Sequence, residues 1–162
     1  MTTAFRNQIR SAKLQQLYDY WDGKRLAPDQ LPSRKRLDPL DIPALLPWLI
    51  LFDVGETPRD TRYRLVGTKV TERIGRDLTG TLIADGFWGA ETEQILARYW
   101  KVAQTRIPEV NMRSVKDAAQ KSHQYEFMML PLASDGHKVD MLLAGVCFGE
   151  TDQKLIWHSR TP

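Results

Sequence analysis

The sequence predicts an α+β domain built around one antiparallel sheet. Three observations carry that expectation. Helix-like and strand-like segments fall in the order helix, two strands, short helices, one long helix, three strands. The last strand-like segment, KVDMLLAGVCFGE (138–150), is apolar on both alternating faces. Leu142, Ala144, Val146 and Phe148 lie on one face and Met141, Leu143 and Cys147 on the other, so the strand belongs inside a sheet covered on both sides. At 162 residues, 42% hydrophobic and 27% charged, the chain is long enough to bury one self-sufficient core.

Residues 4–23 read as the first helix, because Phe5, Ile9, Leu17 and Trp21 recur near helical spacing with Lys and Arg between them. Gly23 closes it, and RLAPDQLPSRKR reads as a polar, Pro-containing linker. Asp38 is a candidate helix cap with Pro39 in the first helical position and Asp41 adding a carboxylate to the first turn, while Pro43 and Pro47 keep that helix short. WLILFDV (48–54) and RYRLVG (62–67), separated by GETPRDT, read as a hairpin. Residues 68–76 predict a short helix and GRDLTGTLIADG a loop. FWGAETEQILARYWKVAQTRI (87–107) predicts the second strong helix, with Trp88, Ile95, Leu96, Tyr99 and Val102 or Ala103 along one face, stopped by Pro108. EVNMRSV (109–115) and HQYEFMMLPLA (123–133) are strands, and SDGH, containing Asp-Gly, turns the chain into the last one. The 87–107 helix, with the short helices, covers one sheet face. The N-terminal helix, a second subunit or both would cover the other.

Composition narrows the function. The N-terminus has no apolar block resembling a secretory signal, and no run approaches the length of a membrane-spanning helix. Cys147 is the single cysteine, which excludes an intrachain disulfide and fits a cytoplasmic protein. The net charge of +3 is uneven: residues 1–37 hold eight Lys or Arg against three Asp, and residues 59–76 hold six against two. These patches raise the alternative of a nucleic-acid-binding protein, against the simpler reading of a solvated basic surface.

Most chemistry is excluded by the residues present. GRDLTG (75–80) has the glycine spacing of a phosphate-binding loop, but Thr81 and Leu82 stand where Lys and Ser/Thr are needed. His123, His137 and His158 are far apart, no C-x-x-C pair exists, and His123 and His137 are expected at the surface. No serine sits in a G-x-S-x-G elbow. The pair Asp38 and Asp41 has capping work, and Asp19 and Asp22 read as a solvated helix face. No enzyme, metal or cofactor is expected.

The blocks YW (20–21), DPLDIPALLPWLILFDV (38–54), YRLVGTKVTERIGRDLTG (63–80) and LPLASDG (130–136) resemble the PAS domain superfamily, in particular a bacterial family of short, stand-alone PAS-like proteins. The resemblance covers roughly residues 14–150. It implies a five-stranded antiparallel sheet of order 2-1-5-4-3 with helices over one face, and a division into an N-terminal helix and linker (1–37) and a PAS-like domain (38–158). Gly67, Gly75 and Gly80 then serve backbone turns. Haem is disfavoured because no His lies on the helices where such a ligand is expected, and flavin photochemistry because Cys147 is on the last strand.

The resemblance also implies a cavity between sheet and helices. Strand parity points Ile50, Phe52, Tyr63, Leu65, Met128, Leu130, Leu142, Ala144 and Val146 toward it, and the helices and loop add Ile74, Leu82, Trp88, Ile95 and Tyr99. Tyr63 and Tyr99 are the polar handles for a small apolar or aromatic ligand, and Arg64 and Arg76 could meet an anionic group. The competing reading is that these side chains fill the core. The expected function is a non-enzymatic sensory or signalling module, with no output domain on the chain, acting through an unidentified signalling protein. A homodimer is expected through Phe5, Ile9, Leu17 and Trp21 of the N-terminal helix and through the outer sheet face.

Overall fold

The computed structural model describes residues 2–85, 91–116 and 119–149. Two helices, α1 (Thr2–Arg6) and α2 (Ala12–Gly23), precede strands β1 (Leu49–Asp53) and β2 (Arg62–Val66). Helices α3 (Thr68–Ile74) and α4 (Thr92–Thr105) follow, then β3 (Glu109–Lys116), β4 (Ser122–Leu132) and β5 (Met141–Phe148). The five strands form one antiparallel sheet in the order β2-β1-β5-β4-β3, with β5 at its centre, as its two apolar faces require.

The single helix expected over 4–23 is broken at residues 7–11. The cause lies far away in sequence. The carboxylate of Glu126, buried in β4, accepts the backbone N–H groups of Arg10 and Ser11, each at 2.7 Å. Ser11 then caps α2, its Oγ accepting from the Leu14 N–H at 3.4 Å. A charged acceptor satisfies two amides that a continuous helix would have turned inward, so the chain changes direction there.

Helix α2 packs on β5 and β4. Gly145 allows this contact: a Cβ there would meet Leu17 Cδ2 at 2.6 Å and Leu14 Cδ2 at 2.7 Å. Trp21, fully buried, donates its indole N–H to the Pro131 carbonyl at 2.9 Å. The expected interface is therefore corrected. Ile9, Leu17 and Trp21 are buried against this chain's own sheet, and Phe5 is half-buried 5.1 Å from Tyr18 between ring centroids. Helix α2 covers the outer sheet face over β5 and β4, and Ile9, Leu17 and Trp21 present no surface to a second subunit. Ile9, Leu31 and Leu37 share one continuous core with the strands.

Helix α4 covers the opposite face, ending where Arg106 takes a left-handed conformation (φ 62°) before Pro108. Asp38 caps a turn of 3-10 helix through the Leu40 N–H at 2.9 Å. Asp41 stands in its first turn, as expected, and also binds Lys24 Nζ and accepts from the Tyr20 hydroxyl, at 3.0 Å each. Lys24 first, then Tyr20, holds its carboxyl below the usual range. Gly75 and Gly80 take positive φ, whereas Gly67 does not. Gly67 is instead required by close approach, since a Cβ there would lie 2.4 Å from the Pro47 carbonyl oxygen.

The outer edge of β2 is met by the following loop: Gly80 N donates to Tyr63 O, Tyr63 N to Thr81 O and Ile83 N to Thr61 O, at 2.7, 2.9 and 3.0 Å. Among the described residues no strand pairs with the outer edge of β3. Nor is any helix among them long and apolar enough to cross a membrane.

Candidate ligand-binding cavity

Register decides which side chains meet under α4. Phe52 pairs with Leu142 and Ile50 with Ala144, while Tyr125, Phe127 and Met129 oppose Phe148, Val146 and Ala144. All of these share the face beneath α4. Their even-numbered neighbours Met128 and Leu130 point to the α2 face, so the parity expected for β4 is off by one residue. The segment is apolar on both faces, and its sequence alone could not set the register.

Leu65 is also corrected. A bulge in the β1–β2 ladder pairs Phe52 with Tyr63 but Leu51 with Leu65, so one extra residue reverses the alternation, and Leu65 is 48% exposed. Leu82 is half-buried on the outer edge of β2, bridged to Arg62, and the fully buried neighbour is Ile83. Trp88 lies outside the described residues.

A cavity of about 20 Å³ remains between sheet and helices, room for about one water molecule. Tyr63, Ile50 and Val146 form its floor, Val70 and Ile74 of α3 and Tyr99 of α4 its roof, and Arg113, Tyr125, Phe127 and Phe148 its far wall. Phe52, Ile95, Leu142 and Ala144 are buried but do not line it. Phe52 supports the Tyr63 and Tyr99 rings, with centroids 5.0 Å from each. Ile74 and Phe148 are only half-buried, so the cavity is closest to solvent at the α3 end of β5. The core is thus almost filled, with a small space kept beside polar groups.

Arg113, on β3, is the residue the sequence reading missed. EVNMRSV alternates so that Val110 and Met112 would point inward, yet Met112 is 40% exposed and Arg113 9%. The guanidinium lies 3.8 Å above the Phe127 ring and 5.8 Å from that of Tyr99, which stacks on Phe127 at 6.1 Å and 4°. Cation–π attraction of this kind is worth about 2 kcal/mol when desolvated. The Glu109, Asn111 and Arg113 side chains form a chain along one face of β3. Asn111 Nδ2 donates to Glu109 Oε1 at 2.7 Å, and Arg113 Nε donates to Asn111 Oδ1 at 3.1 Å. Nη1 and Nη2 are buried and make no hydrogen bond. Burial lowers the Arg113 pKa, but the phenols of Tyr99 and Tyr125 outweigh it and hold it above the ordinary value. The phenols act on the charge without meeting hydrogen-bond geometry at either Nη. Burial pushes the Tyr125 phenol up to about 12, with Arg113 opposing. The one visible signal was the polar i, i+2, i+4 pattern Glu109, Asn111, Arg113.

Other candidates fall elsewhere. His123 is buried on β4 opposite Val115, a correction to the exposure expected from its place at the start of the strand. His137 is exposed, and His158 lies outside the described residues. Cys147 opposes Glu126 and so belongs to the α2 face, away from the cavity. Among the described residues no cluster of three or more His, Cys, Asp or Glu could hold a metal. Much of the basic excess is neutralised locally: Arg6 with Asp19 at 2.7 Å, Arg25 with Asp22 at 2.9 Å, Arg64 with Asp53 at 3.4 Å, Lys69 with Glu72 at 3.0 Å, and Arg59 with Glu93.

The sheet order, with helices closing a small cavity over it, defines a PAS-type sensor fold. Residues 9–147 match the PAS domain family model, and the chain belongs to that family. No curated protein matches. Among solved structures, the PAS domain of BvgS from Bordetella pertussis superposes with a TM-score of 0.56 at 13% identity, covering 70% of this chain and 84% of that one. VqmA bound to DPO gives 0.53 at 12%, covering 69% and 57%. A light-oxygen-voltage domain studied with a flavin analogue gives 0.51 at 12%, covering 70% and 84%. At such identities the likeness is one of fold.

Proposed function

We propose that this chain is a non-enzymatic sensory module of PAS type that takes a small ligand in the cavity under α4 and acts by associating with a signalling protein. The observation that carries the reading is the space left beside Arg113, Tyr99 and Tyr125 in an otherwise closed core. Ligand cavities pair an apolar lining with a few convergent polar groups. VqmA, similar in fold, was solved with DPO bound, which supports the general use of this architecture. With Tyr125 protonated and Arg113 charged near neutral pH, the site offers donors and no base, which favours binding over catalysis. The single Cys147 favours a reducing, cytoplasmic setting. A partner, a second copy included, would use a surface other than the part of the outer sheet face over β5 and β4 that α2 occupies.

Native mass spectrometry of the purified protein tests the reading. A small adduct that is lost on denaturation, and absent from an Ile74→Trp variant whose larger side chain blocks the mouth, is the expected result. A protein that carries no adduct, and whose melting temperature no small molecule raises, would overturn it.

A further inference from the structure

We infer that the cavity is an anion subsite, and that its ligand is a small monocarboxylic acid whose carboxylate meets Nη1 and Nη2 of Arg113. The inference rests on the cavity being a ligand site and adds the chemistry of the ligand. Burying a guanidinium without a counter-charge is costly, and so is leaving its N–H groups unpaired. Arg6, Arg25, Arg59 and Arg64 each hold a carboxylate, whereas no ion pair to Arg113 exists among the described residues. One guanidinium face is taken by Phe127 and Nε by Asn111, which leaves the edge carrying both Nη atoms. That edge is a two-pronged donor matched to the two oxygens of a carboxylate.

A single cation balances a monoanion, so a phosphate dianion would leave one charge unmatched in an apolar wall. Tyr99 from the roof and Tyr125 from the far wall bring phenol dipoles to the charge, while Ile50 and Val146 line the space beyond. Because the free space of about 20 Å³ holds about one water, a carboxylate enters only as the half-buried Ile74 and Phe148 side chains move aside, and any tail leaves past them.

The test compares acetate, propionate and benzoate with acetamide, propionamide and benzamide, by calorimetry and by the Arg113 Nε–H resonance. In the wild-type protein at least one acid should bind about tenfold or more tighter than its amide, the difference a charge-assisted hydrogen bond makes. It should also shift the Nε–H signal. In Arg113→Met the preference should fall to about one. Acid and amide binding equally to the wild type would overturn the anion inference and leave the ligand cavity standing. An acid preference that persists in Arg113→Met would remove Arg113 from it. Failure of every probe to bind the wild type would sink both readings. If Arg113→Met does not fold, the wild-type acid-to-amide ratio and the Nε–H shift decide alone.

Discussion

Arg113 and Tyr125 oppose each other across the β3–β4 ladder, and each bears on the other's ionisation. Because Arg113 is a buried charge with two unpaired donors, removing it should help the ligand-free fold. Arg113→Met should raise unfolding stability in urea by about 1 kcal/mol, the cost of two unpaired buried donors outweighing the ring contact and the Asn111 bond that are lost. Tyr125 makes a separate prediction at high pH. Its folded pKa, raised from 10.0 to about 12, means its contribution is fully present below pH 10 and is lost as pH rises through 12. Absorbance titration should show a phenol ionising late in the folded protein, and Tyr125→Phe should remove that step and flatten the alkaline loss of stability. Neither residue was legible as a site residue. An Arg in a strand reads as solvated, and only the register, set by partners distant in sequence, turned it inward.

Helices and strands were legible where their apolar period was long. The apolar face and C-terminal stop of α4, the hairpin and the turn before β5 follow from side-chain pattern and Gly/Pro/Asp chemistry. The break between α1 and α2 was not, because its cause is Glu126, 116 residues from Arg10. Glu126→Gln keeps the shape but leaves one carbonyl oxygen to accept and sets an NH2 group against the second backbone N–H, and should cost about 1.5–3 kcal/mol in urea unfolding. Gly145→Ala should cost about 1–3 kcal/mol, since its methyl group must push Leu14 and Leu17 aside.

For the molecule as a whole, the sequence required a cover on each sheet face but left open who supplied the second one. The period of an amphipathic helix shows that it has an apolar face, and nothing about whose surface receives it. Because α2 is that cover, deleting residues 2–22 should uncover Leu143, Met128 and Leu130. The truncated chain should bind a hydrophobic dye and lose its cooperative melt, where a detachable dimer helix would leave a folded monomer. Among the described residues the outer edge of β3 is unpaired, which has a consequence in time. Strands β1, β5 and β4 are hydrogen-bonded on both sides, so their amides should exchange with solvent deuterium only when the whole fold opens. The outward amides of β3 need only local fraying, and should exchange first. Arg113 hangs from that same strand, so an anion held there should lengthen those exchange times while leaving those of β5 close to unchanged.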